Sequence, residues 1–200
     1  MFYVILTLCG EEVSILLSKI AEDTKNTILS VIQGAGEIGV ALQIAVKDNV
    51  ISALKGVGQI TTTATGVVSD IVSGAIVAAA TTGTTLTTAS KSVVTGAIKG
   101  ALEVGTDSID ATQKVVSGAI KGTAEVGGDV AGVAVSSVEG AIEAAGSVGT
   151  DTEKVAKTAV MTAVKAADEI GTEAGQSVRK ALLSTASLPK DVVKAALGGK

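Results

Sequence analysis

The phrase that opens at Val94 recurs at a fixed spacing of 22 residues, starting again at Val116, Val138 and Val160. The four copies read VTGAIKGALEVGTD, VSGAIKGTAEVGGD, VEGAIEAAGSVGTD and VMTAVKAADEIGTE. Self-similarity at a constant period is the signature of a repeat architecture. Eleven residues, half of this period, close three turns of a slightly relaxed α-helix. The repeat therefore predicts an all-α chain that presents the same chemical face on a helix several times.

Weaker copies extend the array towards the N-terminus and open at Val72, Val50 and Ile28. Together these copies make seven degenerate repeats in residues 28–177, and decay towards the ends is typical of capping repeats. Residues 1–27 form an apolar N-terminal segment, and residues 178–200 form a C-terminal helical tail. In that tail Pro189, the only proline, suits the first turn of a short helix.

The repeat predicts an amphipathic helix with a broad, shallow apolar face. At the roughly 98° per residue that an eleven-residue repeat implies, apolar positions of one copy fall close to one line and its charged side chains fall opposite. Because 22 is not a multiple of seven, a left-handed coiled coil is not expected. The predicted contact face consists of equivalent positions in successive copies: Val94, Ile98, Gly105, Ile109, Val116, Ile120, Gly127, Val138, Ile142, Gly149, Val160, Val164 and Gly171.

Charged side chains on the opposite face are ordered with helical spacing. Oppositely charged residues four apart attract each other on a solvated helix, and their alternative role is charge complementarity between neighbouring copies. The predicted pairs are Lys99–Glu103, Lys121–Glu125, Lys165–Glu169, Asp110–Lys114 and Glu153–Lys157.

The repeat glycines Gly105, Gly127, Gly149 and Gly171 leave two helical architectures open. Each is followed by Thr or Gly and then an acidic residue, which is the pattern of a helix C-terminus followed by an N-cap. The same glycines also fall within the apolar arc, where they allow another helix or a surface to approach closely. We favour long amphipathic helices kinked at these glycines, and the alternative is an array of hairpinned helices with one helix per repeat.

The apolar residues of the chain are mostly small. Hydrophobic residues make up 46% of the sequence but aromatic residues only 1%, as Phe2 and Tyr3, while glycines number 24. Alanine and valine bury little area per residue, so a compact core is poorly supplied. We therefore expect helices that gain their stability from their neighbours or from a surface.

Composition also excludes several kinds of chemistry. The chain has no histidine and a single cysteine, Cys9, which excludes imidazole-based catalytic triads, zinc sites that use histidine and an internal disulfide framework. The net charge of −4 and pI of about 4.9 give no basic footprint for nucleic acid. We predict no enzymatic activity, and no catalytic, metal or cofactor-binding residues.

One motif resembles a nucleotide-binding loop. Gly34, Gly36 and Gly39 match the dinucleotide fingerprint G-x-G-x-x-G. The repeat already accounts for these positions, since Gly34 aligns with Gly56, and no alternation of strands and helices follows. We therefore predict that this segment binds no nucleotide.

Two segments are apolar enough to raise the question of a membrane. Residues 1–9 are too few to span a bilayer and lack the basic start of a signal peptide. Residues 71–90 carry no charge and are long enough to cross, but they are rich in threonine, so insertion is the less favoured alternative. We expect a location in the cytoplasm or at the periphery of a membrane or granule surface.

The stretch SVVTGAIKGALEVGTDSIDATQK, residues 92–114, resembles the lipid-binding repeats of synucleins in its Gly/Ala/Thr-rich apolar face and eleven-residue period. It is also similar to perilipins, exchangeable apolipoproteins and group 3 late-embryogenesis-abundant proteins. The resemblance covers residues 28–177 and is one of periodicity and composition. It implies amphipathic helices that adsorb to lipid.

The leading hypothesis from the sequence is a non-enzymatic helical repeat protein that coats a lipid or hydrophobic surface, since adsorption scales with buried apolar area. The first alternative is a self-assembling structural protein whose repeats stack into a bundle or filament, which implies a homo-oligomer. The second alternative is a stress-protective chain that folds conditionally. The expected partners are a lipid or hydrophobic surface or other copies of the chain, and not nucleic acid.

Overall fold

The structure, a computed structural model, describes residues 38–57 and 63–198. All regular structure in these ranges is α-helical, which confirms the predicted fold class. The helices are α1 (Ile38–Val57), α2 (Thr63–Thr81), α3 (Leu86–Glu103), α4 (Ser108–Glu125), α5 (Val130–Val148), α6 (Thr152–Ile170), α7 (Thr172–Ser184) and α8 (Lys190–Gly198).

The chain reverses at the repeat glycines rather than continuing as a long helix. Gly105, Gly127 and Gly149 have φ angles of 87°, 65° and 75°, a left-handed conformation that glycine adopts without steric cost. After α3, the N–H groups of Gly105 and Thr106 donate to the carbonyls of Leu102 and Ala101, both at 3.0 Å, in a Schellman motif. The long kinked helices that we favoured are therefore wrong, and the hairpin alternative is the one that the chain adopts.

The acidic residue two positions after each of these glycines is the N-cap of the next helix. The Asp107 carboxylate accepts hydrogen bonds from the N–H groups of Ile109 and Asp110 at 2.9 and 3.2 Å. Asp129 and Asp151 cap α5 and α6 in the same way, through the N–H groups of Gly132 and Lys154. Such caps satisfy donors that have no partner inside a helix. Each 22-residue repeat therefore specifies one helix together with its turn.

The helices form two layers. The odd layer consists of α1, α3, α5 and α7, each packed beside the next, and the even layer consists of α2, α4, α6 and α8. Helices that are consecutive in the chain pack against each other across the two layers. The structural unit is therefore a pair of helices, or two sequence repeats, and each unit contacts only its neighbours as in other solenoid proteins.

A single apolar core runs between the two layers through all eight helices. The buried hydrophobic residues in the described ranges comprise 18 alanines, 16 valines, four isoleucines and three leucines. Because these side chains are short, the helices must approach closely to exclude water. Although large apolar side chains are few, the two layers of helices bury the small ones by lying close together. The apolar faces are therefore not left exposed on a single helix.

Glycines within the helices make this close approach possible. A Cβ atom added to Gly100 would lie 2.7 Å from the Lys47 carbonyl oxygen of α1, and one added to Gly140 would lie 2.7 Å from the Lys91 carbonyl oxygen of α3. In the even layer, Gly118 and Gly122 face the backbone of α2 in the same manner. The repeated glycines thus form seams where parallel neighbours in one layer meet backbone to backbone.

Candidate functional site

The predicted contact face lies mostly inside the protein. The buried members are Val94, Ile98, Val116, Ile120, Val138, Val160 and Val164. Ile109, Ile142 and Gly171 are half-buried, while the turn glycines Gly105, Gly127 and Gly149 are exposed. The structure therefore gathers the apolar members of successive copies in the shared core, and no outer surface of the described helices displays them as a stripe.

The uncharged window of residues 71–90 is not one helix. It contains the end of α2, the turn at Gly83 with a φ angle of 74°, and the start of α3. None of the helices in the described ranges is both long enough and apolar enough to cross a membrane.

The structure places part of the nucleotide-like motif in a helix. Gly39 lies in the first turn of α1, whereas Gly34 and Gly36 lie outside the described residues, as does Cys9. Within residues 38–57 and 63–198, no three side chains of the His, Cys, Asp and Glu types are grouped closely enough to hold a metal ion.

The outer face of the odd layer is joined by ion pairs between helices. Lys47 of α1 lies 2.6 Å from Glu103 of α3, and Lys91 of α3 lies 3.2 Å from Glu143 of α5. Of the five pairs that helical spacing predicted, only Glu153–Lys157 is an ion pair among the described residues. The prediction that Glu103 pairs with Lys99 is wrong because α1 brings Lys47 closer. On this face, charge links neighbouring helices in the layer.

The outer face of the even layer carries a groove of about 680 Å³, which we call the even-layer groove. Its middle helix is α4, which packs between α2 and α6. The lining residues come from these three helices: Gly66, Ser69, Asp70, Gln113, Lys114, Ser117, Lys121, Met161, Thr162, Lys165, Ala166 and Glu169. The lining is mostly polar and charged, and its apolar side chains are the exposed Met161 and the buried Ala166.

The groove opens where the glycine seam is interrupted. Gly118 and Gly122 bring α4 against α2, and the equivalent positions one structural unit later are Thr162 and Ala166 in α6. Both of these side chains line the groove. A side chain in the seam occupies space that backbone would otherwise fill. In the sequence, the groove is marked by the loss of glycine at these two positions. This feature predicts a groove only when it is known that α6 packs beside α4.

Asp70 is the groove residue whose ionised carboxylate is disfavoured in the folded protein. Partial burial raises the pKa of its carboxyl group, and the nearby Lys121 ammonium opposes that shift while the Glu125 carboxylate adds to it. The folded protein therefore holds the Asp70 carboxylate less favourably than the unfolded chain does. Asp70 lowers stability at pH values above its unfolded pKa of about 3.9.

We expect Asp70→Asn to raise the thermal unfolding midpoint at neutral pH. The difference from the parent chain should disappear near about pH 3, where both folded and unfolded states carry the neutral acid. Thermal melts followed by circular dichroism across this pH range measure the effect. A less stable Asn variant at neutral pH would show that the attraction of Lys121 outweighs the cost of burial.

No family model and no curated protein matches this sequence. Among solved structures, the chain is similar to the crystal structure of the de novo designed helical repeat protein DHR7. The TM-score is 0.48 and the sequence identity 21%, over 89% of this chain and 96% of that chain. The candidate functional surfaces are therefore identified from the structure of this chain alone.

Proposed function

We propose that this protein is a non-enzymatic helical repeat scaffold that acts by binding partners on its outer faces. The observation that carries this proposal is the burial of the apolar residues of successive repeats in one core between the layers. Apolar residues that are buried in the core are not available to cover a lipid or hydrophobic surface. What remains for recognition is the polar exterior, and solenoid proteins use such extended surfaces for binding.

Adsorption to lipid, the leading hypothesis from the sequence, is the second candidate function. It requires the helix pairs to separate so that Val94, Ile98 and their equivalents turn outwards. The composition of the core favours this candidate, because alanine accounts for 18 of its 41 residues and gives up little buried area when helices part. The exposed Val40 and Ile44 on the outer flank of α1 offer a place where contact with lipid starts.

Far-UV circular dichroism with and without vesicles separates the two candidates. Vesicles of phosphatidylcholine and phosphatidylglycerol in equal parts serve as the probe. A scaffold gives a strong helical spectrum and a cooperative thermal transition in buffer alone, and vesicles leave both unchanged. Helicity that develops only with vesicles would contradict the scaffold proposal and support the lipid coat.

Sedimentation velocity on the same samples tests the self-assembly alternative. The scaffold proposal expects a helical spectrum that does not change with protein concentration. Helicity and sedimentation coefficient that rise together with concentration would instead identify a chain that folds by stacking on its own copies.

A further inference from the structure

The even-layer groove is lined by three lysines without an ion pair among the described residues, whereas the unpaired lysines of the odd layer, Lys55, Lys99 and Lys180, lie on three separate helices. On the odd layer, Lys47 and Lys91 are each paired with a glutamate of a neighbouring helix. In the groove, Lys114, Lys121 and Lys165 converge from α4 and α6, and none of them makes an ion pair with any described residue. These three ammonium groups are available to a ligand.

Two carboxylates share the groove with these lysines. Asp70 lies on the α2 side near Lys121, and Glu169 lies on the α6 side. The lining residues therefore carry one net positive charge in a protein whose overall charge is −4. The Glu125 carboxylate, which is not among the lining residues, lies near Asp70 and offsets this charge at the α2 side. An anionic ligand would therefore be attracted by the three lysines of α4 and α6, and the acidic surface elsewhere would repel it.

The spacing of the lysines fits an extended chain. Lys114 and Lys121 are seven residues apart on α4, which places them about 10.5 Å apart along the helix axis. A peptide in the extended polyproline II conformation completes one turn in three residues and rises about 9 Å, so every third side chain lies on the same side. Lys165 adds a third positive group from the opposite wall. Carboxylates repeated about every third residue would therefore meet successive lysines.

The uncharged lining residues suit a peptide as well. Ser69, Gln113, Ser117 and Thr162 offer hydroxyl and amide groups that both donate and accept hydrogen bonds, as a peptide backbone requires. Met161 has 59% of its surface exposed on the wall of the groove. An exposed methionine is a flexible apolar contact that adapts to different side chains.

We propose that the even-layer groove binds an extended acidic segment of a partner protein. The chemistry favours a peptide over nucleic acid, because single-stranded nucleic acid needs aromatic side chains for base stacking and the groove has none. The inference rests on the proposed scaffold function, since it needs the groove to exist in the folded protein without lipid.

Fluorescence anisotropy with a labelled peptide tests the proposal. The probe carries glutamate at every third position, with glycine and serine between, and its counterpart carries glutamine instead of glutamate. The full chain is expected to bind the glutamate peptide and not the glutamine peptide. Lys114→Gln/Lys121→Gln/Lys165→Gln should weaken binding by at least about tenfold, since each surface ion pair contributes a fraction of this effect.

A matched control removes the same charge elsewhere. Lys55→Gln/Lys99→Gln/Lys180→Gln changes the net charge by the same amount on the odd layer, and its affinity should stay within about twofold of the parent chain. Met161→Glu places a negative charge on the wall of the groove and should also weaken binding. Equal losses in both triple variants, no binding of the glutamate peptide, or tighter binding of an oligothymidine would each overturn the proposal.

Circular dichroism of every variant keeps this test distinct from that of the scaffold. A helical protein in buffer that fails to bind the peptide overturns the groove proposal alone. A chain without helicity in buffer overturns the scaffold proposal, and the groove proposal with it.

Discussion

Replacing Gly118 with valine is expected to lower the free energy of unfolding by about 3 kcal/mol or more. Gly118 lies in the seam between α4 and α2, and an added Cβ atom would collide with the backbone of Ser69. A backbone obstacle cannot move aside as a flexible side chain does, so the two helices must separate along the seam. Overpacking of this kind costs about 1–3 kcal/mol, and lost contacts along the separated helices add to it.

Gly146 provides the matched control. It is also a helical glycine, but an added Cβ atom would meet only the Cγ2 atom of Thr152, at 3.8 Å. Gly146→Val is expected to change the free energy of unfolding by no more than about 0.5 kcal/mol, because valine is a slightly better helix former than glycine and its Cβ atom makes only an ordinary contact here. Urea unfolding followed by circular dichroism measures both variants. Similar small changes at Gly118 and Gly146 would show that the seam is not packed backbone to backbone.

A lysine at Ile98 is expected to produce the second large effect. Ile98 is fully buried in the core between the layers, so Ile98→Lys places a charged group where no partner or water reaches it. We expect a loss of about 4 kcal/mol or more, enough to unfold the neighbouring helix pairs. From the sequence alone, lysines at Ile98 and Ile120 would be expected to abolish surface binding and leave the protein soluble. The buried position predicts unfolding and aggregation instead.

Ile44 is the control for Ile98, because it is the same residue type in an exposed position. It has 54% of its surface exposed on the outer flank of α1. Ile44→Lys should change the free energy of unfolding by no more than about 0.5 kcal/mol. Thermal melts and hydrogen exchange compare the two variants. A tolerated lysine at Ile98 would mean that the apolar face does not form the core of the folded protein.

The repeat was sufficient to predict helices, their period and the caps at their ends. These features are local, because a left-handed glycine followed by an aspartate satisfies the end groups of two helices whatever lies nearby. Gly105 and Asp107 illustrate this, since both have the conformations that their residue types favour.

The choice between hairpins and a long helix was not decided by local pattern. The same glycines fit a turn and an apolar arc, and the balance depends on the core formed when separate helices meet. The sequence also did not reveal that the structural unit is 44 residues long, because helices of the two layers carry nearly the same sequence. Only the packing of α3 beside α1 and α5 reveals that every second repeat belongs to the same layer.

The even-layer groove depends on three helices that are far apart in the chain. Lys114 and Lys121 were expected to pair with Asp110 and Glu125 on their own helix, but neither ion pair is present among the described residues. Helical spacing makes such a pair possible and does not fix side-chain geometry, which neighbouring helices alter. The sequence alone was therefore not sufficient to predict the groove.

The central claim is that successive repeats fold back on each other in two layers, and one spin-label distance tests it directly. Nitroxides at Lys47→Cys and Glu103→Cys, in a chain with Cys9→Ser, replace an exposed ion pair that contributes little stability. The two positions are 56 residues apart in sequence but in contact between α1 and α3. Double electron–electron resonance in buffer should give a distance close to the lower limit of the method. A continuous helix would place the labels about 84 Å apart, so a measurement that lacks any short distance would contradict the two-layer fold.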